Sequence, residues 1–295
     1  MKNRDAIYAS LDLIEENLKS DMTVYSVSQR FGFSLYYFSR LFKGITGTSP
    51  KSYMLGRKIT EAARELLSTD KKIIEIAFDY GFSTPESFLR AFCRITGMNP
   101  SDFRKRGTVE GISLVGPISV ACLEAGRYID SQQPEVVERG PLMLVGIPFL
   151  YDGTADDLTT PWQNLIRHRE SIITRVVPER YYQVQYWFAD QDPGTLFFFV
   201  SCEVDRIDTI PVQLTAKTLP AQTYLRFSHR GRANTVGHTY RYIYGTYLPE
   251  TEYRLPHLYN FEYYPADYAG PYNDNSVSEI YIPVEIETYG VGRPS

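Results

Sequence analysis

Apolar residues in the first third of the chain recur every three or four positions, which is the spacing of amphipathic helices. One such stripe includes Ile7 and Leu18, and another includes Phe38 and Ile45. The second stripe stops at Gly47, a residue type that is favoured just beyond the C-terminus of a helix. These positions predict an all-helical segment at the start of the chain.

This helical pattern occurs twice along the chain. "FGFS" at 31–34 recurs as "YGFS" at 80–83, and "ITGTSP" at 45–50 recurs as "ITGMNP" at 95–100. Each "ITG" hexapeptide contains a Gly that ends one helix, followed by a Ser or Asn cap and a Pro that begin the next. A repeat of this kind predicts two copies of a helix–turn–helix unit.

The second helix of each copy has a polar outer face. A plain helical bundle would explain the apolar stripes and the caps, but not this face. Arg40 and Arg90 stand at equivalent places, each seven residues before its Gly. Arginine on an exposed helix suits contact with base edges or phosphates of DNA. The predicted DNA contacts are Tyr36, Ser39, Arg40 and Lys43 in the first copy and Glu86, Ser87, Arg90 and Arg94 in the second.

Residues 50–67, between the two copies, keep helical spacing without a break and predict one long helix. At ~1.5 Å per residue this helix would span roughly 27 Å. Successive major grooves on one face of DNA lie about 34 Å apart. The predicted helix is therefore a spacer of the right order to let a monomer place two recognition helices in adjacent grooves.

The distribution of charge favours an anionic partner for the first third only. Residues 1–107 carry 17 Lys and Arg against 12 Asp and Glu, a net of +5, whereas the remaining residues carry 14 against 23, a net of −9. A basic segment favours nucleic acid as a partner, and an acidic one does not. Five further basic residues are candidate phosphate contacts, with a solvated charged face as the alternative for each: Arg57, Lys58, Arg104, Lys105 and Arg106.

Residues 4–106 resemble the DNA-binding domain of the AraC/XylS family of transcription regulators. The resemblance rests on "VSQRFGFSLYYFSRLFKGITGTSPKSYMLGRKITEAARELL" and "IIEIAFDYGFSTPESFLRAFCRITGMNPSDFRKR". It implies a domain over residues 1–107 of seven helices with two helix–turn–helix units. It also implies one groove of the DNA for Tyr36, Ser39 and Arg40, and the next groove for Pro85, Glu86, Ser87 and Arg90. Some members of the family have Gln where Pro85 and Glu86 stand here, so the DNA sequence that is recognised does not carry over.

Beyond Arg106 the chain becomes rich in β-branched and aromatic residues, broken by Pro and Gly. Residues 108–118 predict a linker, and 119–295 predict a second domain. The predicted strands lie at 142–150, 181–188, 196–204, 222–229, 258–264 and 279–287, and the predicted helices at 161–173 and 235–248. The order strand, helix, strand, strand occurs twice, which predicts an α+β domain of two pseudo-repeated β-α-β-β units with a cleft between them.

One acidic residue, Glu262, interrupts the aromatic strand "NFEYYP". Strand alternation places it on the side away from Phe261 and Tyr263. An exposed strand face is one explanation. The other is an acid in a pocket, where the carboxylate would attract a cationic or hydrogen-bond-donating ligand and aromatic rings would add cation–π attraction. The candidate ligand contacts are Glu262, Tyr264, Tyr186, Trp187 and Gln185.

Residues 119–295 resemble the GyrI-like effector-binding domain. The resemblance rests on "AQTYLRFSHRG", "TYRYIYGTYLPE", "LYNFEYYPAD" and "SEIYIPVEI". It implies that Glu262 lies in a ligand cleft between two structural repeats, and that the ligand is a lipophilic cation or another drug-like compound. The order of the two domains resembles that of Rob-type regulators.

These features predict a ligand-responsive transcription regulator that binds double-stranded DNA through its first domain and a lipophilic or cationic small molecule through its second. RNA polymerase is a further expected partner. Two alternatives for the second domain stay open: a small-molecule hydrolase that uses Glu262 with a nearby Tyr to activate water, and a protein-interaction module without a ligand. The sequence has no Ser–His–Asp order, metal-ligand cluster or phosphate loop, which favours a protein that is not an enzyme and uses no cofactor or metal.

The sequence shows no sign of a membrane segment. The stretch "MKNRDAIYASLDLIEENLKS" is charged throughout, and no run approaches the roughly 20 apolar residues of a membrane-spanning helix. The three cysteines, Cys93, Cys122 and Cys202, are far apart and form no CxxC pair. We therefore expect reduced thiols and a cytoplasmic location.

Overall fold

The computed structural model describes residues 2–120, 123, 133–151, 158–187 and 196–286 of the 295-residue chain. The described residues form two compact units. The first contains those of Met1–Tyr128 together with the segment Tyr244–Thr251, and the second contains those of Ile129–Ile243 and Glu252–Ser295. Across these residues, no helix is long and apolar enough to cross a membrane.

Residues 3–106 form seven helices. They are α1 (Asn3–Glu16), α2 (Val24–Arg30), α3 (Leu35–Thr46), α4 (Pro50–Ser68), α5 (Ile73–Asp79), α6 (Pro85–Thr96) and α7 (Pro100–Arg106). The pairs α2–α3 and α5–α6 are the two helix–turn–helix units, and α4 is the long helix that joins them. The predicted all-helical fold with two such units is confirmed.

The backbone also confirms where the helices were predicted to end and begin. Gly47 and Gly97 both adopt a φ of +78°, a left-handed conformation that glycine reaches without steric cost. Their N–H groups donate to the last turns of α3 and α6. Ser49 and Asn99 then accept hydrogen bonds from the backbone N–H three residues further on, so they cap α4 and α7.

The two helical copies repeat their aromatic packing. In the first copy, the ring centroid of Phe42 lies 5.8 Å from that of Tyr53 in α4. In the second, Phe92 lies 5.2 Å from Phe103 in α7. All four side chains are buried. The repeat in the sequence is therefore also a repeat of tertiary contacts.

The segment 108–118, which the sequence predicts as a linker, lies along α4. The N–H of Val115 donates to Thr60 Oγ1 over 3.0 Å, and the N–H of Ile118 donates to the Tyr53 hydroxyl over 3.2 Å. A Cβ on Gly56 would lie only 2.7 Å from Val115 Cγ2. Glycine at this position therefore lets the segment approach the helix closely.

The described part of the second unit is an antiparallel sheet with two helices. Its strands are β1 (Glu135–Arg139), β2 (Leu142–Tyr151), β3 (Tyr181–Tyr186), β4 (Leu196–Glu203), β5 (Thr215–Leu219), β6 (Gln222–Arg230), β8 (Tyr259–Tyr264) and β9 (Val277–Pro283), with β7 (Tyr253–Arg254) and β10 (Glu285–Ile286) as a separate pair. The helices are α8 (Thr159–His168) and α9 (Val236–Tyr242). Both were predicted, but regular helix in the second ends at Tyr242, where a π-helical turn (Ile243–Tyr247) and a 3-10 turn (Leu248–Glu250) follow.

The strand order is β1-β6-β9-β8-β3-β4-β2-β5. The repeats β2-α8-β3-β4 and β6-α9-β8-β9 therefore form the two halves of the sheet, and they meet where β3 pairs with β8. The predicted α+β fold of two β-α-β-β units is confirmed. The outer strands β1 and β5 were not predicted, because "EVVER" and "TAKTL" lack apolar alternation. Phe188, in the predicted strand 181–188, lies outside the described residues, as does Cys122.

Candidate effector site and DNA-binding surface

The pairing of β3 with β8 brings a set of polar side chains together at the centre of the sheet. Gln183 lies opposite Glu262, and Gln185 lies opposite Asn260. Because side chains alternate along a strand, these four point to one face, whereas Phe261 joins a hydrophobic cluster on the other. All four polar residues are buried. The alternation that the sequence predicts for Glu262 is therefore present, and its exposed-face explanation is excluded.

Neutral side chains hydrogen-bond to the carboxylate of Glu262, a residue that is only 3% exposed. The Tyr264 hydroxyl donates to Oε2 over 2.6 Å. Gln185 Nε2 and the Tyr240 hydroxyl, which α9 carries, both donate to Oε1, over 3.3 Å and 3.2 Å. These donors satisfy the oxygens but do not neutralise the charge.

The Tyr240 hydroxyl is shared among several partners. It accepts a hydrogen bond from Gln185 Nε2 at 3.0 Å and lies 3.2 Å from both Glu262 Oε1 and Asn260 Oδ1. A phenol has a single proton, so it donates to only one of these two oxygens at a time. Tyr240 therefore ties α9 to the acid through hydrogen bonds that a competing donor can replace.

Aromatic rings border the cluster. The Trp162 ring of α8 packs edge-on against Tyr264 with centroids 5.3 Å apart, and Tyr264 contacts Tyr268 at 4.9 Å. Trp162 Nε1 also donates to Gln183 Oε1 over 3.1 Å. Trp162, Tyr268 and Tyr240 were not among the predicted ligand contacts. The available signal was their aromatic character within or beside predicted elements, which many residues of this chain share.

Burial dominates the electrostatics of the site. It raises the pKa of Glu262, and the hydrogen bonds from Tyr264, Tyr240 and Gln185 only partly oppose that rise. Burial, together with the neighbouring carboxylate, raises the pKa of the Tyr264 hydroxyl well above its ordinary value. Among the residues that the structure describes, no cation pairs with Glu262, so the site contains a buried acid without charge compensation.

The structure brings three of the five predicted ligand contacts together: Glu262, Gln185 and Tyr264. Trp187 is buried just beyond the end of β3, where its N–H donates to the Leu258 carbonyl. Tyr186 is not brought to the cluster. It packs with the hydrophobic cluster on the other face, because strand alternation separates it from its neighbour Gln185.

The second recognition helix, α6, presents an open polar face. Glu86, Arg90 and Arg94 are exposed, while Phe88 and Phe92 on the opposite side are buried. The predicted contact Ser87 is partly buried, and its hydroxyl donates to the carbonyl of Thr84 at the start of the helix. The arginines of α6 are thus accessible to a duplex, whereas the Ser87 hydroxyl is bonded to the first turn of its own helix.

The corresponding face of α3 differs from the sequence prediction. Lys43 is exposed and Arg40 partly so, but Tyr36 and Ser39 are buried. Tyr36 is covered by the segment Tyr244–Thr251, hereafter the covering segment, which belongs to the same compact unit, contacts α1 and α3, and places the Tyr244 hydroxyl 3.3 Å from that of Tyr36. Local periodicity cannot predict a contact between residues some two hundred positions apart, so the burial of Tyr36 was not predicted.

The candidate phosphate contacts fall into two groups: those that bind other parts of the protein and those that stay exposed. Arg57 is only 3% exposed and pairs with Glu15 and Glu61 at 2.9 Å and 2.8 Å, so it stabilises the helical core and does not reach DNA. Lys58 donates to the Ser20 carbonyl, and Arg104 donates to the carbonyls of Leu66 and Lys71. Lys105 keeps 81% of its side chain exposed and stays a candidate.

Comparison with known families gives the same division of the chain. A helix-turn-helix domain model matches residues 27–106, and a model of the GyrI-like small molecule binding domain matches residues 132–285, about half of the chain. The chain is an AraC/XylS-type regulator with a GyrI-like domain. The second match spans both β-α-β-β repeats and includes Glu262.

This AraC/XylS-type regulator is similar to several bacterial proteins over part of its length. It is 41% identical over 92 residues to the transposon Tn10 TetD protein of Escherichia coli, covering 31% of this chain and 67% of that one. It is 36% identical over 105 residues to the multiple antibiotic resistance protein MarA of Escherichia coli, covering 35% and 83%. It is 28% identical over 157 residues to the transcriptional regulator BrlR of Pseudomonas aeruginosa, covering 53% and 57%. This regulator is a DNA-binding protein.

Proposed function

We propose that this regulator responds to a small lipophilic cation that binds at Glu262, and that it binds DNA as a monomer through α3 and α6. Double-stranded DNA, the effector and RNA polymerase are its proposed partners, and the cytoplasm is its proposed location. The observation that carries the effector proposal is the Glu262 carboxylate, buried among neutral donors. An uncompensated buried acid is costly, and a cation removes that cost.

The surroundings of Glu262 suit an aromatic or alkylated cation. The rings of Tyr264 and Tyr268 lie near the carboxylate, and Trp162 packs on Tyr264. Aromatic faces attract cations that are weakly hydrated. A strongly hydrated metal ion would instead require several oxygen ligands. The site therefore favours a bulky organic cation over an inorganic one.

Binding must displace some of the hydrogen bonds that now close the site. The hydrogen bonds from Tyr240 and Gln185, at 3.2 Å and 3.3 Å, are longer than the 2.6 Å bond from Tyr264. We propose that a ligand reaches Oε1 by replacing the first two and leaves the bond from Tyr264 in place. Tyr240 is then the residue of the site that moves on binding.

We further propose that the GyrI-like unit is a sensor and not a hydrolase. A general base must be unprotonated to accept a proton from water. Hydrogen bonds from Tyr264, Tyr240 and Gln185 already occupy the oxygens of Glu262, so the carboxylate is poorly placed to accept a proton from water. Turnover of an ester or epoxide that is lost in Glu262→Gln would contradict this part of the proposal.

DNA binding is proposed to use the exposed arginines of α6 together with Arg40 and Lys43 of α3. The connecting helix α4 has 19 residues, which at ~1.5 Å per residue gives roughly 28 Å. This length is of the order of the separation of adjacent major grooves, about 34 Å. One copy of the chain is thus proposed to span two grooves.

The test of the effector proposal is calorimetric titration with a tetraarylphosphonium cation and with a neutral triarylphosphine oxide of similar shape. Glu262→Gln should weaken binding of the cation at least tenfold and change binding of the neutral compound little. The matched control is Glu279→Gln, an equivalent change on β9, where Glu279 lies opposite Tyr263 and hence on the other face of the sheet. Equal binding of the cation by the wild-type protein and Glu262→Gln would contradict the proposal.

A further inference from the structure

The backbones of α3 and the covering segment touch at two glycines. A Cβ on Gly245 would lie 2.5 Å from the carbonyl oxygen of Gly44, and a Cβ on Gly44 would lie 2.7 Å from the backbone nitrogen of Gly245. Neither position has a positive φ, so the turn itself does not require glycine. Glycine is required at each position only for the close approach.

Near this crossing, Tyr244 of the covering segment contacts Tyr36 and Arg40, two of the proposed DNA contacts of α3. The hydroxyl groups of Tyr36 and Tyr244 lie 3.3 Å apart. Arg40 Nε donates to the Tyr36 hydroxyl over 3.0 Å. The Arg40 guanidinium also lies 5.4 Å from the centre of the Tyr36 ring and 5.2 Å from that of Tyr244, within the range of cation–π attraction. The proposed base-reading arginine is thus held by two aromatic rings.

The far end of the covering segment is attached to α1. Asn3 Nδ2 donates to the carbonyl of Leu248 over 3.0 Å, and Leu248 is fully buried. Arg4 Nε pairs with Glu250 Oε1 at 2.5 Å, and Lys2 pairs with Glu250 Oε2 at 3.2 Å. The segment is therefore held at both ends within the compact helical unit.

The second helix–turn–helix unit provides an internal comparison. Arg90 holds the place in α6 that Arg40 holds in α3, yet it is exposed, as are Glu86 and Arg94. Since the two copies share their caps and their aromatic packing, the fold of the unit does not itself require a cover. The two helices therefore differ in the exposure of their proposed DNA contacts: Tyr36 and Ser39 of α3 are buried, and Glu86, Arg90 and Arg94 of α6 are exposed.

We propose that the covering segment is an autoinhibitory element, which excludes α3 from the major groove until it is released. Tyr36 and Ser39 are buried in this state, and a base edge cannot reach a buried hydroxyl. In this closed form α6 alone faces the DNA. The inference rests on the proposed role of α3 in DNA binding.

The release is linked to the effector site through the chain itself. Tyr240, whose hydroxyl binds the Glu262 carboxylate, precedes Tyr244 by four residues, about one helical turn. The helix α9 runs without a break into the π-helical turn Ile243–Tyr247, and π-helical turns are frequent at functional sites. A ligand that displaces the Tyr240 hydroxyl would therefore bias the covering segment toward release.

The test uses full-length Gly245→Ala, whose added methyl group cannot fit against α3, and Tyr244→Ala, which removes contacts without adding atoms. Gly237→Ala is the matched control, because a Cβ on Gly237 of α9 meets no atom within 4 Å. Affinity is measured by fluorescence anisotropy on duplexes that the wild-type protein and Gly245→Ala each select from a random library. If the open form is about one tenth of the population, release should tighten binding about tenfold.

A second measurement reports exposure of α3 without DNA. The change Ser39→Cys is introduced into each background, and alkylation at this position is followed by peptide-resolved mass spectrometry. We expect faster alkylation in the Gly245→Ala background than in the wild-type or Gly237→Ala background. Equal alkylation and equal DNA affinity in all backgrounds would overturn the proposed cover.

If α3 does not bind DNA, the two measurements would give a different combination of results. Alkylation would still accelerate in Gly245→Ala, but DNA affinity would not rise, and a further Arg40→Ala change would leave affinity and the selected sequence unaltered. In that case the segment covers a surface that does not read DNA, and the autoinhibition proposal is wrong even though release occurs.

Discussion

The Tyr264 hydroxyl donates a hydrogen bond of 2.6 Å to Glu262 Oε2, from a position two residues further along the same strand. It is the shortest of the three hydrogen bonds to this carboxylate among the residues that the structure describes. Even so, burial raises the pKa of Glu262. The fold therefore holds an acid whose charged form it tolerates poorly, and the pH dependence of stability should reveal that acid.

Stability of the second unit should fall as pH rises above the ordinary Glu pKa of 4.5. Because the folded-state pKa is the higher one, the folded protein binds more protons than the unfolded chain between the two pKa values, and deprotonation favours unfolding. The expected slope is at most about 1.4 kcal/mol per pH unit in that window, and Glu262→Gln should abolish it.

Urea unfolding followed by tryptophan fluorescence measures this effect, since both tryptophans, Trp162 and Trp187, belong to the second unit. Glu279→Gln is the control and should keep the slope of the wild-type protein. A difference between Glu262→Gln and wild type that stays constant from about pH 5 to pH 8 would contradict the prediction.

Binding of a lipophilic cation should release a proton. The cation stabilises the charged form of Glu262 and lowers its pKa, so apparent affinity should increase with pH by up to tenfold per unit until the free protein is fully deprotonated. Calorimetry in two buffers of different ionisation enthalpy detects the proton directly. A neutral ligand should show no such dependence, and cation binding by Glu262→Gln should be insensitive to pH.

The helical unit should lose stability in acid through Glu65. Partial burial opposes ionisation, but hydrogen bonds from Lys19, Lys71 and Tyr80 prevail and lower the pKa of Glu65 to about 2. A depressed pKa stabilises the fold above the ordinary value of 4.5, and this contribution is lost as pH falls toward 2. With allowance for solvent screening of the lysines, Glu65→Gln should cost about 1–2 kcal/mol at pH 7.

Far-ultraviolet circular dichroism during urea unfolding, repeated at several pH values, gives this measurement. The control is Glu16→Gln, which changes an exposed carboxylate on α1. The cost of Glu65→Gln should shrink toward zero near pH 2. A cost that is the same at pH 7 and at pH 3 would mean that the hydrogen-bonding geometry, and not the charge, stabilises the unit.

Arg90 and Lys105 should differ in how they affect DNA binding. If Arg90 reads a base, Arg90→Ala should cost about 1–3 kcal/mol and relax the preference at one position of the duplex. Lys105→Ala should weaken binding uniformly across sequences and reduce the slope of log affinity against log salt by about one, as expected for one phosphate contact. Selection from a random library, followed by salt titration of each variant, separates the two. The same salt slope for Lys105→Ala and wild type would exclude Lys105 from the interface.

The repeat of helix–turn–helix units could be predicted from the sequence because the residues that end and cap its helices act locally. Gly47 and Gly97 end helices through their own backbone conformation, and Ser49 and Asn99 cap the next helix through bonds that span three residues. The face of Glu262 is equally local, since side chains alternate along a strand whatever lies beyond it.

Tertiary structure decided which of these faces are covered and what meets there. Tyr240 of α9 donates to the acid, and Trp162 of α8 packs on Tyr264 beside it. Arg57 points inward because Glu15 and Glu61 lie close to it in space. Helical periodicity predicted the polar faces of α3 and α6 alike, yet Tyr36 and Ser39 of α3 are buried. Tyr244 contacts Tyr36 and Arg40 there, whereas the arginines of α6 are exposed. A periodic pattern records the face a side chain occupies, whereas burial depends on distant segments of the chain that fold against that face.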